Sequence, residues 1–144
     1  MYQLNYHSQS ISGLSPKDLE NILEEATSIN GERNITGCLI YHNDSFVQIL
    51  EGEKKDVLEV YKKIKGDKRH HNIMLLYQNS VDTRSFTDWN MAYHKPEDQF
   101  VVQFVNNLLL LSKLSDNSSN SLTTFWGQVR RIIESGSVKQ QAIL

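Results

Sequence analysis

The sequence predicts an α+β fold of the ferredoxin-like βαββαββ type, with a five-stranded mixed sheet, two helices on one face and a C-terminal helical appendage. Two observations predict it. Amphipathic helical patterns alternate with short strand-like runs over the first two thirds of the 144 residues. Hydrophobic residues make up 39% of the chain, which suits one core with short appendages.

The first strand and first helix each have a clear local pattern. Residues 2–8 alternate between apolar and polar side chains, which predicts a half-buried strand with one face in water. The segment 15–18 supplies a serine N-cap, a proline at the first helical position and an acid at the third. The helix is expected to end near Asn30, with Gly31 as its left-handed C-cap.

The middle of the chain predicts a hairpin, a second helix and two more strands. Apolar runs at 35–41 and 46–51 flank a turn-rich tetrapeptide. A helix is predicted from about 55 to 65, and strands at 73–77 and 89–94. The inner stripe of this second helix is predicted to consist of Val57, Leu58, Val60, Tyr61 and Ile64.

Past Pro96 the chain changes character. Helical spacing of apolar residues predicts helices from about 99 to 113 and from 121 to 134. We therefore divide the chain into a domain, residues 1–95, and a helical extension of the same structural unit, residues 96–144. The extension is expected to pack on the open face of the sheet or on another subunit.

Composition argues against several classes of protein. With 15 basic and 17 acidic residues, no overall charge attracts the chain to nucleic acid or to an anionic membrane. Cys38 is the only cysteine, the first ten residues do not form a secretory signal, and no apolar run is long enough to cross a bilayer. A soluble, cytoplasmic protein is expected.

Motifs for metal binding and catalysis are also missing from the sequence. His70 and His71 are adjacent and point to opposite faces of a strand, and no paired-cysteine or spaced-histidine motif accompanies them. Phosphate-binding glycine loops, a nucleophile elbow and a Cys/His dyad are not found. We therefore predict neither a metal site nor an enzyme.

Two polar residues lie in apolar strand patterns. Gln48 shares a strand face with Phe46 and Leu50, and burial of an unpaired amide costs a few kcal/mol. The strand pattern alone is equally compatible with Gln48 on the outer face. Tyr6, on the apolar side of the first strand, needs a partner for its hydroxyl, which is commonly a backbone group.

Two motifs link these residues to a known family. Residues 34–41 (NITGCLIY) and 46–52 (FVQILEG) closely resemble the central hairpin of BLUF photoreceptors, which sense blue light through a bound flavin. The resemblance covers roughly residues 2–95. Its further matches are residues 6–8 (YHS), 67–71 (DKRHH) and 88–91 (DWNM). It implies a short, stand-alone BLUF protein that binds flavin non-covalently, with FAD expected and FMN as the alternative.

The resemblance also implies which residues are photoactive. Tyr6 matches the family's electron donor, and Gln48 matches the glutamine between that tyrosine and the flavin. Trp89 and Met91 match a fifth-strand pair that exchanges places near the glutamine, and which of them lies beside Gln48 in darkness is left open. Ser8 matches a small polar residue next to the tyrosine.

The implied flavin contacts come from several elements. Asn30 matches the asparagine that bonds the imide edge of the flavin, and Ile22 an apolar contact to its ring. Lys63 falls where a relative has arginine near the phosphate, which keeps the charge but loses the two-pronged geometry. The whole expected cofactor site comprises Tyr6, Ser8, Ile22, Asn30, Gln48, Lys63 and Met91.

The resemblance implies a photosensory function. Light-driven electron and proton transfer from tyrosine to flavin rearranges the glutamine hydrogen bonds and gives a reversible, red-shifted state. The signal is expected to pass to a partner protein or through a homo-oligomer. The alternatives are a flavin redox enzyme of ferredoxin-like build and an interaction module without a cofactor.

Overall fold

A computed structural model describes residues 1–42, 44–87, 92–94, 126–127 and 130–131, with only the backbone described at 92–94. In chain order the elements are β1 (Tyr2–Ser10), α1 (Pro16–Glu32), β2 (Thr36–His42), β3 (Ser45–Gly52), α2 (Lys54–Lys65), β4 (His70–Ser80) and β5 (Ala92–His94).

The sheet has the strand order β4-β1-β3-β2-β5. The first four strands pair antiparallel, and β5 pairs with β2 in parallel. The prediction of two helices with a four-stranded antiparallel sheet is confirmed. β4 is longer at both ends than predicted. Trp89, Met91 and most of the predicted C-terminal helices lie outside the described residues, so the appendage stays a prediction.

Helix α1 begins as predicted but ends later. Ser15 and Asp18 form a reciprocal capping box, in which each side-chain oxygen accepts the other residue's backbone N–H at 3.0 Å. The expected C-cap at Gly31 is wrong. The helix continues to Glu32, and the left-handed residue is Asn34, with φ of 54°. Asparagine tolerates this conformation almost as readily as glycine does.

The main core lies between the two helices and the sheet. From the strands, Tyr6, Phe46 and Leu50 are buried in it, so the face of β3 that carries Gln48 points towards the helices. The outward-facing alternative for Gln48 is therefore excluded. On α2, Leu58 is 37% exposed and does not belong to the inner stripe in which it was predicted. Leu58 is rotated by about 100° around the helix axis from Val57 and therefore points away from the face that carries the other four residues.

The opposite face of the sheet is buried as well. Asn5 and His7 on β1 are 0% and 7% exposed, so the prediction that this strand has one face in water is wrong. β1 is a central strand, between β4 and β3, and further residues of the same sheet face are buried beside Asn5 and His7. These neighbours are Cys38, Ile40, Val47 and Ile49. In β1 the alternating pattern therefore shows which side chains are polar, but it does not show that they are exposed to water.

The capping box generates a stability prediction. Ser15→Ala should lower the free energy of unfolding by about 1 kcal/mol, because the N–H of Asp18 loses its acceptor. Urea denaturation followed by circular dichroism measures the change. Ser28→Ala, at an exposed position inside the same helix, is the matched control and should be neutral or slightly stabilising. Equal effects of the two substitutions would contradict a capping role.

Candidate functional site

A cavity of about 260 Å³ lies between the helices and the helix-facing side of the sheet. Its size is near the lower end of the range for small-molecule sites, and its walls are largely apolar with a few polar groups, as such sites usually are. Five of the residues predicted to bind a cofactor line it, namely Tyr6, Ile22, Asn30, Gln48 and Lys63.

The centre of the site is a tyrosine–glutamine pair. Tyr6 on β1 and Gln48 on β3 are directly opposite each other in the antiparallel register. The Tyr6 hydroxyl donates a hydrogen bond to Oε1 of Gln48, and the two residues are 3% and 4% exposed. The two polar groups that the sequence left in apolar patterns are thus bonded to each other.

Burial determines the protonation of Tyr6. Desolvation raises the pKa of its phenol far above the usual range, and electrostatic interactions with Tyr61 and Asp67 raise it further. The hydroxyl therefore keeps its proton at every physiological pH.

Helix α1 forms one wall of the cavity. Ile22, Ala26 and Ile29 line it from one helical face, and Asn30 extends this face at the final turn. The carbonyl oxygen of Asn30 accepts the N–H of Ile35 at 2.9 Å, so the turn into β2 fixes the position of this residue. Asn30 is 1% exposed, which places a primary amide at the end of an apolar wall.

The opposite rim of the cavity is charged. Lys63 lines it from the last turn of α2, and Arg69 lines it from the connection to β4. Arg69 bonds to Asp67 and, across the cavity, to Glu25 on α1 at 2.8 Å. The pKa of Asp67 is held below its usual range mainly by the hydrogen bond from Arg69. Charge at this rim is therefore nearly balanced.

The sequence interpretation missed Arg69 and His70 as cavity residues. The match of residues 67–71 to the family motif contains both Arg69 and His70 and is the sequence signal that could have identified them.

Ser8 is linked to the cavity through His70. It does not line the cavity, but its hydroxyl lies 2.8 Å from Nδ1 of His70. Nε2 of His70 lies 2.5 Å from the carbonyl oxygen of Ile64, so Nε2 carries a proton. The imidazole ring also packs edge-on against Tyr6, with centroids 6.4 Å apart. Ser8 thus helps to hold a cavity residue in place.

The donor set fits a flavin. The isoalloxazine ring needs apolar contacts on its faces and both donors and acceptors at its pyrimidine edge. Ile22 and Ile29 supply the first, and the amides of Asn30 and Gln48 supply the second. Trp89 and Met91 are outside the described residues, so their predicted roles stay predictions.

The described part of the chain contains neither a metal-binding group of side chains nor a helix that could span a membrane. No group of three or more His, Cys, Asp or Glu residues there is arranged to hold a metal ion. No described helix is long and apolar enough to span a membrane.

Among known proteins, similar sequences are light-activated enzymes. The chain is 32% identical over 123 residues to photoactivated adenylate cyclase subunit beta of Euglena longa, which covers 85% of this chain and 14% of that protein. It is 40% identical over 83 residues to subunit alpha of Euglena gracilis, covering 58% and 8% respectively. The chain thus spans only a small part of these relatives.

Solved structures give the same result. The photo-activated state of BlsA superposes with a TM-score of 0.76 at 31% identity, covering 90% of this chain and 94% of that one. A bacterial light-regulated adenylyl cyclase gives 0.69 at 28% identity, covering 94% and 40%. Klebsiella pneumoniae BlrP1, solved with FMN and cyclic diGMP, gives 0.64 at 25% identity, covering 90% and 35%.

The family model described as BLUF, sensors of blue-light using FAD, matches residues 1–92. The expected function as a flavin-based blue-light sensor is confirmed, and the two alternatives, a redox enzyme and a module without a cofactor, are not supported. Because the match covers well over half of its length, the chain belongs to the BLUF family of blue-light sensors.

Proposed function

We propose that the cavity between α1 and α2 holds the flavin non-covalently, and that Tyr6 and Gln48 perform the photochemistry beside it. The observation that carries this proposal is the buried hydrogen bond between these two side chains at the cavity wall. This bond supports the proposal because it joins a protonated phenol to an amide, and both side chains line the cavity.

A bound flavin supplies a strong oxidant on absorbing blue light. Tyr6 then gives up an electron, and its proton leaves along the existing bond to Gln48. Because the phenol is otherwise protonated, both particles return to it. In the interval Gln48 rotates or tautomerises, so that its donor group strengthens a hydrogen bond to the ligand carbonyl. Each bond exchanged is worth about 0.5–1.5 kcal/mol, which is enough to separate two packings.

The remaining cavity residues hold the ligand. Asn30 pairs with the imide edge, and Ile22 contacts the ring face. Lys63 faces the phosphate as a single ammonium, whereas Arg69, which lines the same rim, is already paired with Glu25 and Asp67. FAD is the proposed ligand because the family model is described as using it, and FMN, present in the BlrP1 structure, is the alternative.

Signal output is proposed to involve the whole chain, which divides into a flavin-binding domain and an extension. In this proposal residues 1–95 form the flavin-binding domain, to which Trp89 and Met91 belong, and residues 96–144 form a two-helix extension. We expect a cytoplasmic protein without catalytic activity of its own, which signals to a protein partner and forms a homo-oligomer. The matched segment is a small part of the much longer adenylate cyclase relatives, which supports a sensor role for this chain.

Flavin binding should depend on Asn30. Asn30→Ala is expected to weaken flavin binding about tenfold or more, because the imide edge loses its buried amide partner. The dissociation constant is measured by fluorescence quenching of FMN, riboflavin and FAD added to apoprotein. Asn79→Ala, an exposed asparagine on β4, is the control and should bind normally. Wild-type affinity in Asn30→Ala would show that the proposed contact is wrong.

The photochemistry should depend on both partners of the buried bond. Tyr6→Phe removes the donor with little change in volume, and Gln48→Leu removes the amide. Both variants are expected to bind flavin but not to form the long-lived red-shifted state under blue light. Light-minus-dark absorption spectra measure this. Gln9→Leu, an exposed glutamine of β1, should behave as wild type. A normal, slowly reversing red shift in Gln48→Leu would rule out the mechanism.

A further inference from the structure

Glu51 is a buried carboxylate on the face of β3 opposite Gln48, and the cavity does not use it. It is 0% exposed. Its two oxygens accept the backbone N–H of Ser85 at 2.9 and 2.8 Å and that of Phe86 at 2.8 Å. The amide of Gln3 donates a further bond at 3.0 Å. Such charge-assisted bonds are short and strong, and they compensate for burial of the carboxylate.

A second residue fastens the same segment to the sheet. The guanidinium of Arg84 donates to the backbone carbonyl of Glu51 at 3.0 Å and to the hydroxyl of Thr36 at 2.8 Å. It also donates to the carbonyl of Asn34 at 2.7 Å. Residues 84–86 are therefore tied to the last residues of β3 and to the first residue of β2.

Phe86 extends this attachment to the C-terminal part of the chain. Its ring is 1% exposed and meets Trp126 edge-on, with centroids 5.9 Å apart. Trp126 is itself 2% exposed. Buried aromatic pairs pack closely, so a shift of one ring displaces the other. The carboxylate of Glu51 and the ring of Trp126 are thus linked through one residue.

We propose that Glu51 is a positioning residue that transmits movement of β3 at Gln48 to Phe86 and from there to Trp126. The inference rests on the proposed role of Gln48 and adds an output connection separate from Trp89 and Met91. Three residues of extended strand, about 10 Å, separate Gln48 from Glu51. A displacement of the β3 backbone therefore moves the carboxylate and the three backbone N–H···O contacts from Ser85 and Phe86 that are attached to it.

Hydrogen exchange in darkness and under blue light tests this connection in the full flavin-loaded chain. Three peptides are followed, containing Gln48, Phe86 and Trp126. In the wild type, light should change exchange in all three. In Glu51→Gln, which keeps the shape but loses the charge, the change should persist at Gln48 and be lost at Trp126. A purely structural defect would raise exchange equally in darkness and light and leave the light-induced difference in place.

Two further variants sharpen the test. Phe86→Leu keeps the backbone bonds to Glu51 but removes the ring contact, so the light-induced change should reach the Phe86 peptide and stop before Trp126. It also keeps the test decisive if Glu51→Gln does not fold. Glu53→Gln, exposed and without a side-chain capping bond, is the matched control and should behave as wild type.

The outcomes separate this inference from the proposed function. A full light-induced change at Trp126 in Glu51→Gln or in Phe86→Leu overturns the inference, as does the lack of any change at Trp126 in the wild type. Neither result affects the red shift. Failure of the wild type to form a red-shifted state would instead contradict the role of Gln48.

Discussion

The hydrogen bond between Tyr6 and Gln48 is the interaction on which the rest of the site depends. It exists because β1 and β3 pair in a register that sets these residues opposite each other. A slip of one residue would turn every side chain of one strand to the other face, which the alternating apolar and polar pattern of β1 opposes. The register, and with it the site, is therefore fixed by burial of Leu4, Phe46 and Leu50 around the polar pair.

Strand β3 carries polar groups on both faces, and each has a different task. Gln48 faces the helices and the cavity, whereas Glu51 faces the segment that connects β4 to β5. Burying either group alone would be costly, so each is bonded in the folded state. The same requirement makes both groups sensitive to movement, because a bonded polar group in a packed interior has few alternative positions.

Much of the fold and the centre of the site follow from the sequence. The capping box at Ser15 was a local signal, whereas the strand patterns left Tyr6 and Gln48 unexplained and only the family resemblance paired them. Other features were not local. Gly31 and Asn34 both tolerate the left-handed conformation, and in the α1–β2 turn, which backbone bonds to Asn30 and Gly31 close, it is Asn34 that adopts it. The place of Arg69 at the cavity was not readable from the sequence because one of its carboxylate partners, Glu25, lies on a different element, α1. Burial of the face of β1 that carries Asn5 and His7 was not predictable either, because an alternating pattern does not show what packs on a strand.

The most direct measurement is the light-minus-dark infrared difference spectrum of protein labelled with ¹³C at the glutamine side-chain carbonyl, recorded beside Gln48→Leu labelled in the same way. The account predicts a shift of a glutamine carbonyl band on illumination, together with a change in the tyrosine C–O band, and loss of the glutamine signal in the variant. A flavin red shift with no isotope-sensitive glutamine band, or with the same band in Gln48→Leu, would contradict the claim that Gln48 carries the switch.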